Sequence, residues 1–328
     1  MKSVVIEEFG PEFKLAIRET EDPQPPVGNQ VLVRVHAAGL NRADLLQARG
    51  LYPPPAGYSP ERPGLEFAGE IAAVGDAVSG WSTGDRVFGI TAGEAQSELL
   101  LADASLLART PNNLDYVTAA AIPEAFITAH DAVVTQGQLA ESETLLIHAV
   151  GSGVGLAGLQ IAKAAGAFVI GTSRTVDKLD RCKAFGLDVP IVPADGANFA
   201  EQVIDATDGR GADVILDLVG GGYFAQNLAS LAPRGRLVLV GLTSGRTAEI
   251  DLGMILQKRA RVIGTVLRSR TVKEKADATR SFADEVIPLL AAGRVTANID
   301  RVFPMSDVHE AYRYLESNVS FGKVVLEF

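Results

Sequence analysis

Residues 147–160, which read "IHAVGSGVGLAGLQ", form the segment best suited to hold a phosphate group. A thin turn lets the backbone approach a pyrophosphate, and the N-terminus of the following helix supplies N–H donors and a positive dipole. Val150 and Ser152 stand at the first two positions of a G-x-G-x-x-G pattern and Gly155 at the third, and Ser152 could cap the helix or contact the phosphate. Strand, turn, helix and second strand follow in the expected order. The sequence therefore predicts dinucleotide binding rather than a tight turn without a ligand.

The end of the second strand, "VIGTSRTVDK", indicates which dinucleotide binds. Sites for NAD place an Asp or Glu about 20 residues beyond the turn, where it holds the ribose 2′-hydroxyl. This chain has Ser173 and Arg174 there, and Lys178 one helical turn further on. A carboxylate would repel a 2′-phosphate, whereas a hydroxyl and two cations would bind it; solvated surface charges are the alternative for Arg174 and Lys178. The missing acid predicts NADPH.

Two patterns along the chain describe the elements that must position these residues. Up to Pro123, short strand-like runs broken by Gly and Pro predict an irregular β-rich domain. From there to about residue 266, apolar strands alternate with helices, which predicts an α/β domain with a doubly wound parallel sheet. We expect a long helix at 275–293, a helix at 307–318 and a final strand "KVVLEF" to return to the first domain. The predicted domains are 1–123, completed by 267–328, and 124–266.

The composition excludes several classes of protein. The 328 residues carry a formal net charge of −10, which argues against a nucleic-acid binder, because phosphate backbones need clustered Lys and Arg. The single cysteine, Cys182, excludes a disulfide framework and a Cys-rich zinc site. Because the sequence shows neither an N-terminal signal region nor a long apolar run, we expect a cytoplasmic protein without membrane association.

Several stretches, spread in order over nearly the whole chain, carry a family resemblance. They are "AAGLNRADLLQARGLYPPP" (37–55), "PGLEFAGEIAAVG" (63–75), "GDRVFG" (84–89), "AAAIPEAFITAHDAV" (119–133), "LIHAVGSGVG" (146–155), "ILDLVGG" (215–221), "GRLVLVGL" (235–242), "LRSR" (267–270) and "GKVVLEF" (322–328). They resemble the medium-chain dehydrogenase/reductase superfamily, and most closely its zinc-independent quinone oxidoreductase branch, the zeta-crystallin-like enzymes. "PEAFITA", "LRSR" and "NRADLLQ" are most similar to the tumour-suppressor-induced quinone oxidoreductase subgroup. The resemblance implies a GroES-like catalytic domain and a Rossmann NADP-binding domain.

The resemblance also implies roles for individual residues. It places Asn41 and Tyr52 beside the nicotinamide and the substrate, where Tyr52 could donate its hydroxyl to the substrate carbonyl and Asn41 could orient the ring or a water. Packing of Tyr52 against Pro53–Pro55 is the alternative. The implied cofactor contacts are Asn41 and Thr128 near the nicotinamide, Ser152, Gly153 and Val154 at the pyrophosphate, Ser173, Arg174 and Lys178 at the 2′-phosphate, Gly241, Leu242, Leu267 and Arg268 flanking the nicotinamide, and Asn318.

Zinc-dependent members of this superfamily place their catalytic zinc ligands where this chain has Asn41, Leu65 and Glu124. Zinc needs thiolate or imidazole donors at three or four converging positions. The four scattered histidines, which do not replace those donors, are His36, His130, His148 and His309. The sequence therefore predicts no metal site. Without a Lewis acid, the acceptor must be reducible by direct hydride transfer, and quinones and conjugated enones fit because a neutral donor can stabilise the charge on their carbonyl oxygen.

These observations together predict an NADPH-dependent quinone oxidoreductase that acts on a small quinone or enone without a metal. An enoyl-thioester or 2-alkenal reductase would use the same hydride donor and the same fold. A non-catalytic NADPH-binding protein is a third hypothesis. Relatives commonly pair through the edge strand of the nucleotide domain, here "ARVIGTV" (260–266). The resemblance therefore implies a homodimer.

Overall fold

The computed structural model describes residues 1–193 and 198–328. The chain forms two compact units: unit 1 comprises Met1–Ile127 and Leu267–Phe328, and unit 2 comprises Thr128–Val266. The domain boundary expected at residues 123 and 124 stays a prediction. The α/β class is confirmed, with an irregular β-rich unit and a unit built on a parallel sheet.

The first part of unit 1 consists of short strands with few helices. Its strands are β1 (Lys2–Glu8), β2 (Lys14–Glu19), β3 (Gln30–Leu40), β4 (Glu66–Val74), β5 (Arg86–Ile90), β6 (Leu99–Asp103) and β7 (Leu107–Arg109). Its helices are α1 (Arg42–Ala48), α2 (Tyr116–Ala120) and α3 (Pro123–His130), and the chain passes into unit 2 within α3.

Unit 2 alternates strands and helices, as the sequence predicts. In chain order its elements are β8 (Thr144–Ile147), α4 (Gly153–Ala164), β9 (Phe168–Thr172), α5 (Val176–Cys182), β10 (Val189–Ile191), α6 (Ala200–Asp205), β11 (Ala212–Asp217), α7 (Phe224–Ser230), β12 (Leu231–Leu239), α8 (Leu252–Lys258) and β13 (Arg261–Gly264). The six strands pair in parallel in the order β10-β9-β8-β11-β12-β13. The strand order reverses at β8, and ligands of such sheets bind outside the carboxyl ends of the strands at that point.

The last part of the chain returns to unit 1. It contains α9 (Val272–Glu285), α10 (Ile287–Ala291), β14 (Ile299–Pro304), α11 (Val308–Glu316) and β15 (Lys323–Glu327). The single helix predicted at 275–293 is two helices in the structure, because Pro288 occupies the first turn of α10 and cannot donate the N–H that a continuous helix needs.

Strand β15 completes the main sheet of unit 1. It pairs antiparallel with β3, with Val324 opposite Leu40, and the sheet order is β14-β15-β3-β4-β5-β7, with β6 also paired to β3. One buried face of α11 packs on this sheet together with apolar residues of β1, and Tyr312 is its largest fully buried side chain. In the described residues, no helix combines the length and the apolar character needed to cross a bilayer.

Candidate active site

The turn after β8 is tied to the strands on both sides of it. The N–H of Val150 donates to the carbonyl of Thr172 in β9 at 3.0 Å, and the N–H of His148 donates to the carbonyl of Leu216 in β11 at 3.1 Å. Ala149, between them, takes a left-handed conformation with φ of 50°. These bonds fix the path of the backbone where it enters α4.

The N-terminus of α4 is built for a close approach to an anion. Ser152 is the N-cap, and its Oγ accepts the N–H of Gly155 at 3.1 Å. A Cβ on Gly155 would lie 2.6 Å from the carbonyl oxygen of Ala149, so only glycine fits. Gly153 and Val154 form the first turn, where a helix offers no internal partner for its N–H groups. Ser152, Gly153 and Val154 therefore form a helix N-terminus whose geometry suits an anion.

The residues predicted to hold a 2′-phosphate follow β9. Ser173 is buried, and its N–H donates to the carbonyl of Ile191 at 3.2 Å. Arg174 is exposed and Lys178 is half-buried in α5. Burial raises the pKa of Tyr223 and the charge of Arg174 lowers it, so Arg174 lies within electrostatic range of that ring. Unit 2 thus brings Ser173 and Arg174 together at the end of β9, next to the turn.

A buried chain of polar side chains joins three strand ends in unit 2. His148 contacts Thr172 Oγ1 through Nδ1 at 2.9 Å and Asn227 Oδ1 through Nε2 at 2.6 Å. Asn227 Nδ2 donates to Asp217 Oδ2 at 2.9 Å, and Asp217 Oδ1 accepts two backbone N–H groups of the turn after β11. Burial lowers the pKa of His148 to about 4 and raises that of Asp217 to about 6. The sequence gives no periodic signal for these contacts, because their members come from the turn after β8 and from β9, α7 and β11.

The other predicted cofactor contacts of unit 2 lie in α3 and after β12. Thr128 is partly buried in α3. The N–H of Gly241 donates to the carbonyl of Asp217 at 3.1 Å, and a Cβ on Gly241 would lie 2.7 Å from the carbonyl oxygen of Leu218. Leu242 follows and is 49% exposed. The turn after β12 is therefore packed against the turn after β11, with an apolar side chain in solvent.

A buried ammonium lies at the centre of unit 1. Lys323 Nζ donates to Glu66 Oε1 at 2.5 Å, to Asn41 Oδ1 at 2.7 Å and to the carbonyl of Leu40 at 2.7 Å. Asn41 Nδ2 also donates to Glu66 Oε1, at 2.8 Å, and Glu66 Oε2 accepts the N–H of Glu124 at 2.8 Å. Both ends of the Asn41 amide are therefore engaged, and the amide oxygen keeps one lone pair for a further donor.

Asp44 supports the same region from helix α1. Its carboxylate accepts the backbone N–H of Asn41 at 2.7 Å and that of Gly64 at 3.1 Å, and it is fully buried. Burial raises the pKa of Asp44 to about 6, while the two N–H groups and the nearby cations act in the opposite direction. Asp44 thus fixes the start of α1 and with it the position of Asn41.

Arg268 anchors the segment that re-enters unit 1. Its guanidinium donates to the carbonyl oxygens of Ala92 and Tyr52, both at 2.8 Å, and to Gln47 Oε1 at 2.5 Å. It also lies over the ring of Tyr52, 5.0 Å from the centroid. Leu267 beside it is buried. The structure brings Tyr52 and Arg268 together, and Arg268 uses its side chain to hold the loop of Tyr52.

Asn318 belongs to a different contact. Arg42 donates a hydrogen bond to Asn318 Oδ1, and Asn318 Nδ2 donates to the carbonyl of Glu316 at 2.9 Å. Its backbone has a positive φ of 61°, which places it in the turn before β15. The contact joins α1 to that turn.

Glu124 has the most perturbed carboxyl group of unit 1. Burial raises its pKa to about 8, the negative charge of Glu66 adds to the effect, and Lys323 opposes it. The sequence marks this position only as one without a zinc ligand. Across residues 1–193 and 198–328, no group of three or more His, Cys, Asp or Glu side chains is arranged to hold a metal ion.

Two protein-family models match the chain. The alcohol dehydrogenase GroES-like domain matches residues 28–113, and the zinc-binding dehydrogenase domain matches residues 153–284. The first model bears out the GroES-like character of unit 1, and the second covers most of the parallel sheet. The predicted fold class is thereby confirmed in both parts.

Individual proteins match over nearly the full length. A quinone oxidoreductase of Pseudomonas aeruginosa is 33% identical over 324 residues, which are 97% of this chain and 96% of that protein. The crystal structure of Escherichia coli quinone oxidoreductase complexed with NADPH superposes with a TM-score of 0.89 at 28% identity, covering all of both chains. The CurK enoyl reductase structure has a TM-score of 0.84 at 28% identity, covering 99% of this chain and 98% of that one. The chain therefore belongs to the medium-chain dehydrogenase/reductase superfamily, with quinone oxidoreductases among its full-length relatives.

Proposed function

We propose that the protein is an NADPH-dependent quinone oxidoreductase that transfers hydride to a quinone or similar conjugated carbonyl without a metal. The observation that carries the proposal is the ammonium of Lys323, held by Glu66 and Asn41 inside unit 1. The Lys323 ammonium pairs with Glu66 and donates to the Asn41 oxygen, while the Asn41 amide nitrogen donates to Glu66. The site therefore suits an acceptor that is activated by its own conjugation rather than by a Lewis acid.

The cofactor proposal rests on unit 2. The glycine-lined N-terminus of α4 suits a pyrophosphate, and Arg174 at the end of β9 suits a 2′-phosphate. The E. coli relative is described with NADPH, which supports the same cofactor here. NADPH, when bound, supplies the hydride. The proposed contacts are Thr128, Ser152, Gly153, Val154, Ser173, Arg174, Lys178, Gly241 and Leu242 in unit 2, and Asn41, Leu267, Arg268 and Asn318 in unit 1.

In unit 1 we propose that Tyr52 donates the hydrogen bond to the substrate. Its hydroxyl forms no hydrogen bond with another part of the chain that the structure describes, so it remains a donor for a carbonyl oxygen. Burial raises the pKa of Tyr52, and the charge of Glu124 adds to the effect, so the hydroxyl keeps its proton near neutral pH. Asn41 holds Lys323 and Glu66 in place and has one acceptor lone pair left for a water or the cofactor.

The second candidate is an enoyl-thioester or 2-alkenal reductase, which the likeness to the CurK enoyl reductase favours. It uses the same hydride donor and differs only in the acceptor. A non-catalytic NADPH-binding protein would bind the cofactor and turn over neither acceptor.

One paired assay tests the three functions. NADPH oxidation is followed with 1,4-benzoquinone, with a 2-alkenal and with crotonyl-CoA, before and after exhaustive chelation. We expect turnover with the quinone that survives chelation, together with no stoichiometric zinc by elemental analysis. Greater catalytic efficiency with crotonyl-CoA would select the second candidate. NADPH binding with no turnover of any acceptor would reject both enzymes, and loss of one zinc together with activity would reject the metal-free reaction.

We also propose a homodimer formed through β13. This strand ends the parallel sheet, and Val262 in it is 40% exposed. Leu252 and Leu256 of α8 are 68% and 77% exposed. Light scattering tests the assembly: we expect a dimer, and Leu256→Glu should yield a monomer while the matched surface change Val319→Glu in unit 1 should not. A monomeric wild-type protein would reject this assignment. The cytoplasmic location stays a prediction.

A further inference from the structure

A buried lysine of unit 1 has no protein partner. Lys275 lies in the first turns of α9 and is only 4% exposed. Its ammonium forms no hydrogen bond or ion pair in the described chain. The nitrogen is not fully enclosed by protein, so solvent reaches it. Lys273, two residues earlier, has a side chain that is 85% exposed and pairs with Asp277. Burying an ammonium without a partner costs free energy, so stability does not explain why Lys275 occupies this position.

Lys275 is electrostatically coupled to two other side chains of unit 1, Glu124 and Arg268. Burial lowers the pKa of Lys275, the charge of Glu124 raises it, and the charge of Arg268 lowers it. Lys275, Glu124 and Arg268 are therefore within electrostatic range of one another. Glu124 and Arg268 also shift the pKa of Tyr52 in the same way. Each of the three nitrogens of Arg268 already donates one hydrogen bond, which fixes the guanidinium in place. Three polar groups without hydrogen-bond partners in the described structure are thus within electrostatic range of the Arg268 guanidinium: the Lys275 ammonium, the Glu124 carboxyl and the Tyr52 hydroxyl.

We propose that Lys275 and Glu124 are catalytic residues of this site: the Lys275 ammonium binds the acceptor oxygen on which negative charge develops, and the Glu124 carboxyl donates the proton that completes the reduction. This inference rests on the proposed function. It also assigns the class of ligand, an acceptor whose reduced form passes through an oxygen anion, such as a quinone or an enone.

The proton and electron balance is complete with NADPH as the only reductant. The quinone gains a hydride and becomes a hydroquinone monoanion, and the cofactor leaves as NADP⁺. The O–H bond of Glu124 breaks and its proton forms the second O–H bond of the hydroquinone. A phenol has an ordinary pKa of about 10, so transfer from a weaker-than-usual carboxylic acid to its anion is downhill. The Glu124 carboxylate then takes a proton from solvent before the next turnover.

The surroundings of Glu124 keep its proton in place until it is needed. Glu66 and Asp44 disfavour the charged form, while Lys323 and Arg268 favour it, and Glu124 is also within electrostatic range of Tyr52 and Lys275. Burial dominates, and the pKa is raised to about 8. The carboxyl is therefore protonated at neutral pH and loses its proton above pH 8.

The test compares Lys275→Met and Glu124→Gln with two matched surface variants, Lys273→Met and Glu61→Gln. For Lys275→Met we expect kcat/KM for 1,4-benzoquinone to fall about tenfold, as for the loss of one group that stabilises an oxyanion. NADPH affinity should not change, and Lys275→Arg should recover part of the rate. For Glu124→Gln we expect a lower kcat and loss of the decline in kcat above pH 8. Wild-type kcat/KM in Lys275→Met would overturn the role of Lys275, and a wild-type pH profile in Glu124→Gln would overturn that of Glu124.

A binding measurement separates failure of this inference from failure of the proposed function. Calorimetric titration with 2,4-dinitrophenolate in the absence of NADPH, where no hydride is supplied, requires no turnover. If the wild-type protein reduces no quinone or enone, the proposed function fails. Weaker binding of the phenolate to Lys275→Met than to Lys273→Met would still establish the anion site, and equal binding to both would reject it.

Discussion

The ammonium of Lys323 lies 2.5 Å from Oε1 of Glu66, and both side chains are almost fully buried. Lys323 begins β15 and Glu66 begins β4, and β3 pairs with both strands. The ion pair therefore spans the middle of the sheet in unit 1 and joins the last strand of the chain to its first half.

We predict that Lys323→Met destabilises the protein strongly. The change leaves Glu66 buried with its charge unpaired, and breaking a buried pair from one side costs about 3–5 kcal/mol. Urea unfolding measures the loss. The double variant Lys323→Met with Glu66→Gln should recover part of it, since it removes the orphaned charge. A single variant as stable as Lys273→Met would contradict the role given to this pair.

We predict that Arg174→Ala weakens NADPH binding and leaves NADH binding unchanged. Arg174 is exposed, so the lost contact should be smaller than the about 1.5–3 kcal/mol of a well-desolvated charged hydrogen bond. Fluorescence titration with both cofactors measures the difference. Lys183→Ala is the control, because Lys183 is an exposed cation further along the same segment that pairs with Asp180. Equal affinity for the two cofactors in the wild-type protein would defeat the assignment.

The parts of the fold that are coded locally could be predicted from the sequence. The run "TLLIHAV" contains β8, and the helix expected at 154–165 corresponds to α4 at Gly153–Ala164. Helix α8 could not be predicted in this way, because it has no buried residue and hence no apolar period. The candidate site is harder to predict from the sequence than the fold. Lys323, Glu66 and Asn41 meet only through the pairing of β15 with β3, and a lysine in a polar helix such as Lys275 is typical of a solvated face until packing is known.

The pH dependence of stability should reveal the buried chain from His148 to Asp217. Burial lowers the pKa of His148 from 6.5 to about 4, so its stabilising contribution is present above pH 6.5 and is lost as the pH falls toward 4. Burial raises the pKa of Asp217 from 3.8 to about 6, so its contribution is present below pH 3.8 and is lost as the pH rises through 6. Each group contributes about 3 kcal/mol to the free energy of unfolding. Between pH 4 and 6 the contributions of His148 and Asp217 change in opposite directions.

Asp217→Asn should remove one of these two opposing effects. We predict that its free energy of unfolding falls by about 3 kcal/mol more than that of the wild-type protein between pH 6.5 and 4, because only the His148 effect remains. Urea unfolding at several pH values measures both curves, with Asp177→Asn, an exposed acid of α5, as the control. Parallel curves for Asp217→Asn and the wild-type protein would show that Asp217 does not carry a raised pKa.

The last prediction concerns Tyr52, whose ring lies under Arg268 and whose hydroxyl remains a donor. If that hydroxyl stabilises charge on the substrate carbonyl, Tyr52→Phe should lower kcat about tenfold, equivalent to ~1.4 kcal/mol of barrier, with NADPH affinity intact. The loss should be greater for an enone than for a quinone, because the weaker acceptor depends more on the donor. Phe keeps the aromatic face for Arg268, whereas Tyr52→Ala should also lower the melting temperature. Steady-state kinetics on both acceptors decide the matter: unchanged kcat in Tyr52→Phe, with only Tyr52→Ala impaired, would leave Tyr52 as a packing residue of its loop.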